Sequence, residues 1–162
     1  MSDNSTCLQL LYEKEISPIV GARLIVNADI LAWANVRVVS LDFEKDFFGK
    51  NEENLTQSMI RVHRLIGSSR DSDIISNLGG RNKITMAHFL GLLWAQNRGQ
   101  GEGPLSVNGR MNLGYVPNKE KKLRAVSFWW DINKMEWRAT SSSIYGPTWE
   151  ENTRVVSMDL IA

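Results

Sequence analysis

Of the 162 residues only one is cysteine, two are histidine and four are proline, and the formal net charge is +1. The single Cys7 forbids an internal disulfide, which fits a reducing compartment. His88 has no second His, Cys or carboxylate at ligand spacing and His63 reads as a surface or structural residue, so neither a metal nor a cofactor is expected. Neither histidine has a cysteine, or a serine in a Gly-x-Ser-x-Gly elbow, near it in sequence, so no catalytic residue is assigned. The near-zero charge is unlike a dedicated duplex-DNA binder, which neutralises several phosphates with a basic surface. The longest apolar runs, such as Phe89 to Ala95, are far shorter than the roughly 20 residues of a spanning helix. The polar start, Met1 to Thr6, lacks the basic-then-apolar pattern of an export signal. The expectation is a soluble cytoplasmic protein with no membrane contact, in which the sequons at Asn4 and Asn54 carry no glycosylation meaning.

What is present is an ordinary globular composition, 43% hydrophobic and 23% charged. A chain of this length buries about 70% of its unfolded surface as one unit, so residues 1–162 are expected to form a single domain. Residues 1–81 carry a charge of −2 and residues 82–162 a charge of +3. The first half reads as mainly helical. Leu8, Leu11 and Tyr12 predict a short helix over Cys7–Glu15, interrupted by Pro18. Asn27 caps a second helix carrying Ile30, Leu31 and Trp33. The β-branched Val36, Val38 and Val39 predict a strand. Residues 42–53 read as a loop anchored by Phe43, Phe47 and Phe48. Leu55, Met59, Val62 and Ile66 then fall at i, i+4, i+7 and i+11, predicting an amphipathic helix capped by Asn54, with His63 a structural neighbour of its stripe. A short helix through Ile74, Ile75 and Leu78, capped by Asp71 or Ser72, stops at Gly79-Gly80.

The second half reads as a helix plus an antiparallel sheet. Thr85 caps a helix over Met86–Asn97 with Met86, Phe89, Leu90 and Leu93 buried. The Gly-rich stretch 97–104 leaves a helix C-terminus, whereas phosphate-cradling glycines lead into an N-terminus. Strands are predicted at Asn112–Val116, Leu123–Trp130, Met135–Ser142 and Arg154–Met158, the last two separated by a Gly146-Pro147 turn. An even loop between the second and third sets Trp130 opposite Met135 and Phe128 opposite Trp137. Val126, Phe128, Trp130 and Trp137 then form one core face, packed on the 86–97 helix. The expected fold is α+β, with N-terminal helices packed on a C-terminal antiparallel β-meander of about four strands.

The order Ile74-Ile75-Ser76-Asn77-Leu78-Gly79-Gly80, Lys83-Ile84-Thr85 with Phe89, Asn108-Gly109, Asn112 with Tyr115-Val116, Leu123-Arg124-Ala125-Val126, Trp137-Arg138 and Arg154-Val155-Val156-Ser157 resembles a group of short bacterial proteins to which no activity is assigned. The resemblance covers about residues 41–158. It departs from the group at Met111 and Leu113-Gly114, where similar chains have a small residue and an aromatic. It implies one helix feeding a small meander and transfers no functional residue.

Six tryptophans exceed what a core of this size needs. The outer sheet face sets Trp129 beside Arg138, with Tyr115 as a neighbour, and aromatics with arginine stack well on rings or anchor a protein interface. Together with Arg124, at the end of the basic turn that begins at Lys119, these are the candidate binding residues. The function expected is a non-catalytic binding protein whose partner is another protein or a second copy, the latter through open sheet edges. A single-stranded nucleic-acid module is the alternative. A hydrolase drawing on Asp42/Glu44/Asp46, Glu52/Glu53 or Glu150/Glu151 is a further one.

Overall fold

In the computed structural model, residues 6–146 and 148–159 are described. Asn4 and Pro147, which figure in the first sequon and in the Gly146-Pro147 turn, lie outside them. In chain order the elements are β1 (Leu8–Ile16), β2 (Leu24–Ile25), α1 (Ala28–Trp33), β3 (Val36–Val39), α2 (Leu41–Phe47), β4 (Asn51–Glu52), β5 (Ser58–Leu65), α3 (Asp71–Leu78), α4 (Met86–Ala95), β6 (Asn112–Pro117), β7 (Leu123–Asp131), β8 (Glu136–Ser143) and β9 (Arg154–Met158). Seven strands form one mixed sheet in the order β1-β5-β9-β6-β7-β8-β3, and β2 pairs with β4 separately. All neighbours in the large sheet are antiparallel except β9–β6 and β8–β3, which are parallel.

This corrects the expectation of N-terminal helices on a four-stranded C-terminal meander, because three of the seven strands come from the first 81 residues. The segment carrying Leu55, Met59, Val62 and Ile66 fits a period of 3.6, yet Ile60 and Val62 also alternate with Arg61 and His63. The second period wins because β5 is paired on both sides, by β1 and β9. Asn54, expected as a helix cap, instead has φ 56° and turns the chain into the strand. In β1 the alternation is hidden by a bulge between Leu10 and Tyr12, which moves Tyr12 to the opposite face and leaves helix-like spacing in the sequence. Nor is the C-terminal sheet a meander, since β9 inserts between β5 and β6 and runs parallel to β6.

Other elements form where local chemistry asks for them. Asn27 accepts from the Ile30 amide at 2.9 Å and starts α1, and Thr85 accepts from the His88 amide at 3.0 Å and starts α4. The aromatic trio anchors a helix, not a loop: Ser40 caps α2, which buries Phe43 and Phe47. α3 occupies the predicted place, with Arg70 at its cap position making no side-chain cap and Gly79 ending it at φ 66°.

The sheet has a core on each face. On one, α2 and α4 cover Val62, Val126, Phe128, Trp130, Trp137 and Val156, with the Phe89 and Phe128 rings edge-on at 4.6 Å. The β7–β8 hairpin places the predicted face inward but pairs two residues further along, Trp130 with Trp137 and Phe128 with Ala139, an even shift that keeps the same side chains on the same face. Met135 has φ 53° and belongs to the turn, where Asp131 accepts from the amides of Asn133 and Lys134, so it cannot pair with Trp130. On the other face, α3 brings Ile74 onto Leu8, Leu65, Leu113, Tyr115 and Val155. That cluster reaches from the β1 edge to β7 and contains no residue of β3.

Candidate functional site

The uncovered part of the second face lies toward the β3 edge. Side chains one residue apart alternate across a sheet, so the cross-strand partners Trp129, Arg138 and Val38 form a row on one side of three strands. Trp129 joins neither core cluster, and Val38 is 42% exposed. The Arg138 guanidinium lies over the Trp129 ring, 5.5 Å from its centroid. Its Nε is 2.9 Å from Asp131 Oδ2, and Glu136 stands 3.9 Å away on the same side. The arginine therefore sits over the indole with its charge countered by two nearby carboxylates, although its buried Nε makes no hydrogen bond among the described residues.

The other two candidate residues are elsewhere. Tyr115 is fully buried under α3, and its hydroxyl donates to Asp71 Oδ1 at 2.7 Å. Burial, together with the hydrogen bond and charge of Asp71, raises its phenol above the ordinary tyrosine value. Arg124 projects from the opposite face, where its Nε lies 2.7 Å from Asp46 Oδ2 beneath α2. Burial alone would raise the Asp46 carboxyl, but hydrogen bonds from Ser141 and Asn118 and the charge of Arg124 outweigh it and hold it below the ordinary range. Of Tyr115, Arg124, Trp129 and Arg138, the structure brings together Trp129 and Arg138.

Among the described residues β3 ends the sheet, so pairing occupies only its inner side: the Trp137 amide donates to Asn35 O at 2.9 Å and the Ser40 amide to Ala139 O at 3.0 Å. Along its outer side a cavity of about 520 Å³ opens between α1 and α2. Asp29, Arg37, Val38 and Glu44 line it, with no ion pair to Asp29 or Glu44 among the described residues. At the start of the strand Asn35 donates to Asn97 O at 2.8 Å and Met135 O at 3.0 Å, tying together α1, the end of α4 and the β7–β8 turn. Large apolar side chains stand exposed around that junction: Trp33, Trp94, Ile132 and Met135. Sequence reading found the strand but not its place at the edge, because position in a sheet is set by long-range pairing.

The carboxylates considered for hydrolysis have structural partners in three cases: Asp46, Glu52, and the exposed Glu53, which accepts from Asn51 Nδ2 at 2.9 Å with Arg23 Nε 3.7 Å away. Asp46 is held as described. Buried Glu52 accepts from the amides of Met86 and Ala87, both at 2.8 Å, and from Lys50 Nζ at 2.8 Å, so it plugs the N-terminus of α4. Glu150 and Glu151 border the turn before β9. Buried His88 pairs its Nδ1 with Thr85 Oγ1 and its Nε2 with Thr56 O, and burial lowers its pKa. Burial and the nearby charge of Arg61 lower that of His63. Among the described residues no group of three or more His, Cys, Asp or Glu is placed to hold a metal, and no helix is long and apolar enough to cross a membrane.

Comparison with protein-family models, with curated proteins and with solved structures finds no match to this chain. The resemblance over residues 41–158 thus rests only on the residues that carry it.

Proposed function

We propose that the chain is a non-catalytic binding protein that receives an extended segment of another protein along β3. The observation that carries this reading is the unpaired outer side of β3 beside the Trp129–Arg138–Val38 row. An added strand gains affinity from main-chain hydrogen bonds, about 0.5–1.5 kcal/mol each, and specificity from alternate side chains. Asp29 and Glu44 against the single Arg37 make the groove acidic. It therefore favours a segment that alternates apolar residues with lysine or arginine.

Nucleic acid is the less favoured partner because Arg124 and Arg138 are each matched to a carboxylate. Native mass spectrometry of the protein gently recovered from its own cells, beside Val38→Lys, tests the proposal, since a lysine on an edge strand discourages pairing. The expected result is a bound protein mass on the parent that the variant loses and that persists in high salt. A nucleic-acid mass that dissociates steeply with salt, or a bare monomer in both, overturns it.

A further inference from the structure

Away from the β3 edge, a cavity of about 390 Å³ lies between the start of α3 and the chain after β8, lined by Arg70, Asp71, Ser72, Ile144, Tyr145 and Thr148 among others. That size is at the lower end of small-molecule sites, which span about 300–1,000 Å³. Its wall includes a carboxylate that is almost wholly buried: Asp71 is 2% exposed. Oδ1 of Asp71 accepts two hydrogen bonds, from Tyr115 Oη at 2.7 Å and from Trp149 Nε1 at 2.7 Å. Oδ2 receives none among the described residues. The side chain is thus fixed by one buried and one half-buried aromatic donor, with one oxygen left over that is not sealed from solvent. Burial raises the carboxyl above its ordinary value despite both hydrogen bonds. A carboxylate that only had to cap or brace the fold would be matched at both oxygens, as Glu52 is.

The opposite charge is offered at the same cavity. Arg70 holds the cap position of α3 without a side-chain cap, and its guanidinium pairs with no carboxylate of the described residues. Its carbonyl takes the amides of Asp73 and Ile74, each at 3.1 Å, and the Ser72 amide in the first turn has no acceptor among the described residues. A helix N-terminus with a free amide and an adjacent guanidinium favours a carboxylate. Tyr145, 90% exposed at the rim, supplies a ring face that suits a cation or an apolar side chain.

We propose that this cavity binds a free α-amino acid, whose ammonium group meets Asp71 Oδ2 and whose carboxylate meets the Ser72 amide and Arg70. Tyr115 and Trp149 are positioning residues, since they hold the carboxylate and lie behind it. This site is independent of the β3 edge.

Isothermal titration of the intact protein with a panel of the common free α-amino acids tests the proposal, with the decarboxylated amine and the deaminated acid of the best binder as controls. At least one amino acid should bind, with the amine and the acid each weaker by about tenfold or more. Asp71→Asn keeps an oxygen for Tyr115 and Trp149, so the fold should persist by circular dichroism while binding is lost. Arg70→Gln should weaken the amino acid by about tenfold and leave the amine unchanged. Absence of binding across the panel at about 10 mM, equal binding of the deaminated acid, or full affinity in folded Asp71→Asn overturns the proposal.

Discussion

Arg138 lies over the Trp129 ring at 5.5 Å with its Nε 2.9 Å from Asp131 Oδ2, so the β7–β8 hairpin carries an aromatic–cation pair outside both cores. Trp137, one strand away and on the opposite face, is fully buried against Trp130. Trp129→Ala should therefore cost no more than about 1.5 kcal/mol, whereas Trp137→Ala should cost about 3–5 kcal/mol. Urea unfolding of the two variants measures the difference. Equal losses would place Trp129 in the core.

Glu52 joins the small β2–β4 sheet to α4 through two amides and a lysine. Removing it strands two buried amides and Lys50 together. Glu52→Ala should lower stability by about 2–4 kcal/mol, and Glu52→Gln by less, because the amide oxygen can still accept one of the bonds. The midpoint of chemical denaturation reads both.

Gly114 lets β6 pass close beneath α4. A Cβ there would stand 2.5 Å from Phe89 Cε2 and 2.9 Å from Ile84 Cγ2, both in a packed core. Gly114→Ala should destabilise by about 1–3 kcal/mol through overpacking. Gly101→Ala, with nothing within 4 Å of the added methyl, should be close to neutral in the same thermal melts.

His88 makes stability depend on pH. Burial lowers its folded-state pKa below the ordinary 6.5, so between those two values the unfolded chain binds the extra proton. Stability is then full above pH 6.5 and falls as pH drops, with a slope of at most about 1.4 kcal/mol per pH unit from this group. His63 acts in the same direction, and Asp71, raised by burial, in the opposite one. His88→Gln should flatten the fall in the denaturation midpoint between pH 7 and pH 5 relative to the parent. An unchanged slope would mean that His88 is not held neutral.

Features set by near neighbours in sequence were legible. The caps Asn27 and Thr85, the strand Val36–Val39 and the inward face of Phe128, Trp130 and Trp137 all follow from side-chain chemistry or period within a few residues. Two kinds of feature were not. β1 conceals its period behind a bulge, and β5 fits two periods until its neighbours decide. The site suffered from the same distance. Arg124 and Trp129 share a strand, yet an odd separation sends them to opposite faces, and Tyr115 meets Asp71 across 44 residues. Asp71 has the appearance of an ordinary helix-start residue until Tyr115 and Trp149 converge on it.

The strand-addition account is tested most directly by amide hydrogen exchange at residues 36–39, with and without a synthetic peptide of alternating valine and lysine at about 1 mM, enough to half-fill a weak site. The account predicts slower exchange for amides on the outer side of β3, lost in Val38→Lys, with exchange in β1 at the far edge of the sheet unchanged. Equal exchange with and without peptide, or protection that appears at β1 and not at β3, would contradict it.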